Sequence, residues 1–198
     1  MKKTLGVKPF ESELYDLGKI LLSRLRGAGH RAFFVGGCAR DMVLGLPPRE
    51  YDITTSATPD EVSRLFEHTI PVGASFGVML VVVGSCKFEV ATFRRDESYS
   101  DGRHPDAVSY STSEEEDVLR RDFTINGMLY DPFDEEVIDY TGGLEDLKLG
   151  VVRTIGRPEE RFTEDKLRLV RAVRFAARYG FKIEDETFHA MRSLADGI

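Results

Sequence analysis

A chain of 198 residues with 41% hydrophobic residues is long enough to bury a core and suits one domain, or one domain with a fragment of a second. Its net charge of −7 argues against a long cationic nucleic-acid surface, because Lys and Arg contacts to phosphate supply much of such binding, although arginines concentrate from Arg153 to Arg178. No run approaches the roughly 18 apolar residues of a membrane span and MKKTLGVKPFESE lacks a signal-peptide core, so no membrane and a cytoplasmic setting are expected. Cys38 and Cys86 are too few for a disulfide framework or a zinc pattern and are expected to be buried thiols.

Leu14, Leu17, Ile20, Leu21 and Leu25 recur at helical spacing and predict a packing helix from Glu11 to Gly27 or Gly29. Val35 ends a short apolar run, Gly36-Gly37 breaks it, and the residues through Leu44 read as a helix closed by Gly45. A glycine pair at that junction lets backbone N–H groups approach a phosphate, and the helix N-terminus adds partial positive charge. Arg40, one turn in, supplies a full charge. After Pro47-Pro48, Tyr51–Thr55 reads as a strand with Glu50 and Asp52 two residues apart, which puts both carboxylates on one face. Two such acids repel unless a cation lies between them, and a divalent metal holding nucleotide phosphates meets that need. Singly, a glycine turn or an acid pair on a strand is more often plain structure; their combination in one strand-helix-strand unit points to a nucleotide site.

A cap and a first-turn proline at Thr58-Pro59 predict a helix through about Glu67. Val78–Val83 and Phe88–Phe93, joined across Gly84-Ser85, predict a hairpin with Glu89 inside its second strand. Arg94 to Pro105 is polar and reads as a flexible loop, and Ser113 to Glu116 as a capping box opening an acidic helix. Val137–Tyr140 predicts a strand, Gly142-Gly143 a turn or flexible joint, and Val151–Ile155 a last strand, with helix from Pro158 onward. In the helix expected over Thr163–Tyr179, Leu169, Val170, Val173, Ala176 and Ala177 share an apolar face, and Arg168, Arg171, Arg174 and Arg178 another, one turn after Glu164 and Asp165. Without context, such an acid-to-arginine spacing means a surface ion pair.

Four motifs supply the context. GG-x-x-RD-x-x-LG followed by PP-x-E-Y-D-I-T-T-S-A-T-P resembles the first motif of the bacterial class II tRNA nucleotidyltransferases (CCA-adding enzymes) and their relatives, the bacterial poly(A) polymerases, both of the DNA polymerase beta superfamily. RRDFTIN at 120–126 resembles their second motif, DYTGGLEDL at 139–147 the third, and EDxxRxxRAxRFAxRxGF at 164–181 the fourth. The resemblance implies an α+β fold: a nucleotidyltransferase head of mixed sheet and helices over 1–140, then over 141–198 a hinge and the N-terminal part of a helical neck, with body and tail absent. It implies attack of an RNA 3′-hydroxyl on the α-phosphate of CTP or ATP, with Glu50, Asp52 and Glu89 as the catalytic carboxylates. Two Mg²⁺ ions would sit on Glu50 and Asp52, where the family has Asp at the position of Glu50. Gly36, Gly37, Arg40 and Arg121 would hold phosphates and Asp122 the ribose hydroxyl. Cytosine and adenine both present an amino donor beside a ring-nitrogen acceptor, so Asp165 and Arg168 would read that edge, with Arg171 and Arg174 stacking, orienting the pair or reaching phosphates. The implied partners are CTP, ATP and a tRNA or other RNA 3′ end, gripped weakly without body and tail. Poly(A) addition, and a nucleotide-binding module with weakened chemistry, remain as alternatives; Val72-Gly-Ala-Ser-Phe-Gly lacks the paired basic residues that poly(A) polymerases carry there, which favours tRNA end addition.

Overall fold

In the computed structural model, which describes residues 2–73, 76–97, 99, 102–103 and 105–195, a Ser12 side chain accepting from the Tyr15 N–H opens α1 (Glu13–Gly27). The buried face of α1, including Tyr15, Leu21, Leu22 and Leu25, packs over the sheet. β2 (Ala32–Val35) is buried on both faces, which is why it reads as an unbroken apolar run. At Gly36, φ of 75° turns the chain from β2 into α2 (Gly37–Val43), a conformation that costs any other residue. β3 (Asp52–Thr55) then returns antiparallel to β2 with Val35 opposite Asp52, so the register itself sets the glycine turn beside the carboxylate.

A full capping box between Thr58 and Glu61 starts α3 (Pro59–Leu65), and β4 (Thr69–Gly73), β5 (Val78–Val83) and β6 (Cys86–Thr92) form a meander. β6 lies parallel to β3, with Ile53 opposite Val90. β7 (Arg94–Asp96) pairs with β8 (Val108–Tyr110) in a small separate ribbon, and α4 (Glu114–Leu119) follows. With β1 (Lys3–Gly6), β9 (Met128–Asp131) and β10 (Glu136–Asp139), the main sheet runs β1-β10-β9-β2-β3-β6-β5-β4. A second, smaller core of Phe33, Val35, Phe93, Val118, Leu129 and Ile138 lies on the opposite sheet face.

α5 (Gly143–Leu149), β11 (Val151–Val152), α6 (Pro158–Glu164), α7 (Leu167–Tyr179), β12 (Lys182–Ile183) and α8 (Asp185–Leu194) complete the chain. The larger core continues into them through Phe162, Leu169, Ala172 and Phe175, and Phe123 meets Phe175 edge-on at 5.8 Å.

Several expectations change. β1, β4 and β9 gave no strand signal; all four residues of β1 are exposed, so no alternation marks them. The loop expected over Arg94–Pro105 begins as β7; positions 98, 100, 101 and 104 lie outside the described residues. Ser113 caps α4 from one side only, because the Glu116 carboxylate turns away to Arg95 and Ser111. The strand expected over Val151–Ile155 ends at Val152, after which Thr154 makes an isolated bridge to Phe123. Cys38 is buried, but Cys86, at the start of β6, is only partly so.

The helix expected over Thr163–Tyr179 is broken at Asp165, whose backbone is extended (φ −141°, ψ 103°) and whose carboxylate accepts from the Leu167 N–H at 3.0 Å. That local bond offers the backbone an alternative to continuing the helix. The face buried by α7 is Arg168, Leu169, Ala172 and Phe175, whereas Val170 and Val173 are 52% and 55% exposed. Phe175 supplies the largest apolar surface and turns its own side inward, displacing the apolar face that the valines suggest. The Gly142-Gly143 pair is pinned rather than loose. The Asp139 carboxylate accepts from the N–H groups of Thr141, Gly142, Gly143 and Leu144 at 2.9–3.1 Å, and a Cβ on Gly143 would stand 2.2 Å from the Thr124 carbonyl oxygen.

Candidate active site

Between the β2–β3 end of the sheet and α7 lies a cleft of about 650 Å³. Nine of its lining side chains are arginines and five are carboxylates, so a chain of net charge −7 encloses a cationic hollow. Gly36, Gly37, Arg40, Glu50, Asp52, Arg121, Asp122, Asp165, Arg168, Arg171 and Arg174, chosen from the sequence, all line it. Glu89 does not.

Glu50 and Asp52 form the acidic wall. Burial, then the charges of Glu50 and Glu89, push the Asp52 carboxyl up to about 6, against the pull of Arg121. Glu89 is exposed on β6, one residue before the Ile53–Val90 pair just as Asp52 is on β3. Neighbouring parallel strands lie about 4.8 Å apart, so the Glu89 charge is felt at Asp52 although Glu89 stands outside the cleft lining. Among the described residues no group of three His, Cys, Asp or Glu side chains is gathered to hold a metal ion. The donor set that remains, two hard carboxylates beside a phosphate-sized cationic space, fits Mg²⁺, which takes one or two carboxylates together with substrate oxygens. The raised proton affinity of Asp52 marks the point where added positive charge relieves most repulsion.

Opposite stand the arginines. Arg121 donates from Nη2 to Asp117 at 3.0 Å, its Nη1 lies 3.7 Å from where a Cβ on Gly36 would be, and its buried Nε has no protein partner. Gly36 therefore serves both the turn and the approach of Arg121. Arg40 is only 4% exposed. It is bound to Asp41 and Asn126, and its guanidinium lies 4.8 Å from the Tyr179 ring centre, so it brackets the head against α7 more than it projects into the cleft. Asp122 is fully engaged as well. Its Oδ2 accepts from Arg171 Nε and Nη2 at 2.7 and 2.6 Å, and its Oδ1 from the Phe123 N–H and Asn126 Nδ2.

Arg168 pairs with Glu164, not with Asp165: its Nη1 donates to the Glu164 carboxylate at 2.7 Å and to the Arg161 carbonyl at 3.0 Å. The break before α7 swings Asp165 off the helical spacing that would have set it beside Arg168, and leaves its carboxylate on the cleft wall. Arg174 and Arg178 have no carboxylate partner among the described residues and lie over Phe175 and Tyr179 at 5.0 and 5.1 Å. Asn126, Arg94, Arg120 and Tyr99 also line the cleft without having been assigned a role from the sequence. Arg178, already on the arginine face by its spacing, lines the cleft as well; Arg94 and Tyr99 sit where no periodicity exists.

Residues 32–153 match the family model described as the poly A polymerase head domain. The chain belongs to that family. It is 46% identical over 178 residues to the CCA-adding enzyme of Leuconostoc mesenteroides, covering 90% of this chain and 44% of that protein, and 45% identical over 172 residues to the CCA-adding enzyme of Ligilactobacillus salivarius, covering 87% and 42%. The CCA-adding enzyme of Bacillus stearothermophilus, solved in complex with CTP, superposes with a TM-score of 0.82 at 38% identity, over 91% of this chain and 43% of that one. A CCA-adding enzyme solved with ATP gives 0.76 at 27% identity, over 95% and 44%. The chain thus spans less than half the length of the relatives it matches. Within this poly A polymerase head domain, the matched segment contains the glycine turn, Glu50, Asp52, Arg121 and Asp122, whereas Asp165, Arg168, Arg171 and Arg174 lie beyond it on the far wall. Among the described residues no helix is long and apolar enough to cross a membrane.

Proposed function

We propose that this chain is the nucleotide-selecting front part of a CCA-adding enzyme, a template-independent nucleotidyltransferase that adds C and A from CTP and ATP to a tRNA 3′ end. The head would extend to about residue 140 and the start of the neck from 141. The observation that supports this best is one cleft whose acidic wall, Glu50 and Asp52, faces an arginine wall ending in a carboxylate, Asp165, beside a nearly buried arginine, Arg168.

In this reading the 3′-hydroxyl oxygen bonds to the α-phosphorus, the bond from that phosphorus to the bridging oxygen of the β-phosphate breaks, pyrophosphate leaves, and the hydroxyl proton passes to solvent. Glu50 and Asp52 would hold Mg²⁺, which when bound supplies charge stabilisation to the attacking and leaving oxygens. Arg121 receives the phosphates through Nη1, which stands at the Gly36-Gly37 turn; the Gly36 N–H is already donated to the Met128 carbonyl. Asp122 meets the ribose hydroxyl only by sharing oxygens that already serve Arg171 and Asn126. Asp165 accepts from the exocyclic amino group of C or A. Arg168 has spent Nη1 on Glu164 and the Arg161 carbonyl, which leaves Nε and Nη2 to donate to the ring nitrogen. Uracil and guanine present the reverse pattern, so a carbonyl oxygen meets the Asp165 carboxylate and a ring N–H meets the Arg168 donor. Binding titrations with the four nucleoside triphosphates, and sequencing of products formed on tRNA lacking its 3′ end, test the proposal. CTP and ATP should bind in preference to UTP and GTP; equal binding of all four would overturn it.

A further inference from the structure

Asp117 lies outside every residue assigned a role so far, yet it is fully buried at the point where three parts of the site meet. Its Oδ2 accepts from Thr54 Oγ1 and from Arg121 Nη2, each at 3.0 Å, and its Oδ1 from Arg120 Nη2 at 2.7 Å and Nε at 2.9 Å. Thr54 follows Asp52 by two residues on β3, on the same face of the strand. Arg120 reaches on toward Asp96 at the root of the β7–β8 ribbon, 3.7 Å away, and Asp96 also holds Arg94 at 2.8 Å. One carboxylate thus ties the acidic strand, the phosphate-facing arginine and the loop root to one another.

We infer that Asp117 is the positioning residue that aims Arg121 at the triphosphate, an inference that rests on the nucleotide-addition reading above. Charge counting supports it. Arg94, Arg120 and Arg121 share two carboxylates, Asp96 and Asp117, so one positive charge is left over. Arg94 and Arg120 are bound into the ribbon root, whereas Arg121 holds Asp117 through Nη2 alone and keeps Nη1 at the glycine turn. The surplus charge therefore stands on Arg121, facing the cleft. Burial raises the Asp117 carboxyl, but the charges of Arg121 and Arg120 outweigh it and hold the group down at about 2, so it stays charged at any working pH. Without that anchor Arg121 faces Asp52, Glu50 and Asp122 across the same cleft, and would collapse onto the acids it now stands opposite.

The test is equilibrium binding of CTP and CMP to the chain and to its D117N, R121Q and D117N/R121Q variants. D117N should weaken CTP by about 10- to 100-fold, the worth of a charge-assisted hydrogen bond, and CMP by less than about threefold. On the R121Q background D117N should cost CTP nothing further. Equal losses for CTP and CMP, or an additive loss in the double variant, would show a merely structural ion pair. T54V, which keeps every charge and removes one donor to Asp117, carries the same comparison if D117N fails to fold: a drop in the CTP-to-CMP affinity ratio, absent on the R121Q background, supports the inference, and an unchanged ratio refutes it. A parent chain that binds CTP no better than CMP would instead sink the nucleotide-addition reading itself.

Discussion

Replacing Asp52 by Asn should stabilise the ligand-free chain at neutral pH while abolishing nucleotide transfer. The carboxyl's affinity for protons is raised from 3.8 to about 6 because burial and the charges of Glu50 and Glu89 disfavour its ionised form. Between those two pH values the folded chain binds more protons here than the unfolded chain does, so stability falls as pH rises through that window. The cost is absent below about pH 4 and complete above about pH 6. At its full value the shift corresponds to ~3 kcal/mol; solvent screening at a cleft wall reduces this to about 1–3 kcal/mol. For a chain of this size each 1 kcal/mol moves the melting temperature by roughly 2–4 °C. Thermal melts of the parent chain and the variant from pH 4.5 to 8 should therefore diverge, with the variant ahead by several degrees at pH 7.5 and by much less at pH 4.5. Added Mg²⁺ with CTP should raise the parent's melting temperature and leave the variant's nearly unmoved, because binding stabilises only the state that binds. A variant less stable than the parent at pH 7.5, or ahead by the same margin at both ends, would refute the crowded-carboxylate account.

Asp165→Ala should weaken CTP and ATP and narrow their preference over UTP and GTP, at ~1–3 kcal/mol for the lost base contact; titrations that show equal loss for all four nucleotides would assign Asp165 to capping α7 instead. RNA binding should be weak and lost steeply with salt, and replacing Arg174 and Arg178 by Gln should flatten the plot of log affinity against log salt concentration by about 0.7 per phosphate contact removed, as measured by filter binding. Gly143→Ala forces a Cβ to 2.2 Å from the Thr124 carbonyl oxygen, an overpacking worth at least about 1–3 kcal/mol. Urea denaturation should show that loss, and Gly142→Asn, at a left-handed φ of 89° with nothing within 4 Å of its Cβ, should cost less.

Sequence reasoning reached the acidic wall because β3 and the glycine turn are adjacent in both chain and space: Gly36 and Asp52 are joined by one helix and one antiparallel return. It failed where the site is assembled across distance. Asp117 sits in a run of four acids, and nothing in EEED separates the buried hub from the exposed Glu115 two residues before it, because only the packing of α4 against Thr54 and Arg121 makes that distinction. Asp165 and Arg168 both line the cleft, but they are not the helical pair that their spacing suggests. The error came from extending a 3.6-residue period across a residue whose own side chain caps the following helix. On α7 the period was right and the phase was wrong: Val170 and Val173 look like core by composition, but the ring of Phe175 and the paired Arg168 take the inward positions. β1 and β9 were invisible for opposite reasons, one being wholly exposed and the other wholly buried, and neither pattern alternates.

The overall charge misled for a related reason. The side chains lining the cleft sum to +4, which leaves −11 for everything else, so the acidic balance of the whole chain does not describe its site. That division has a consequence for a ligand as charged as a nucleic acid. A polyanion is repelled by the acidic remainder and attracted where the cations line the hollow. A double helix lying along such a surface gains little, since few phosphates meet a cation; a single-stranded end that enters the hollow gains most. If the chain acts as proposed, such a division would favour the terminus of a strand over its length before any base is read, which is the geometry that nucleotide addition to a 3′ end requires.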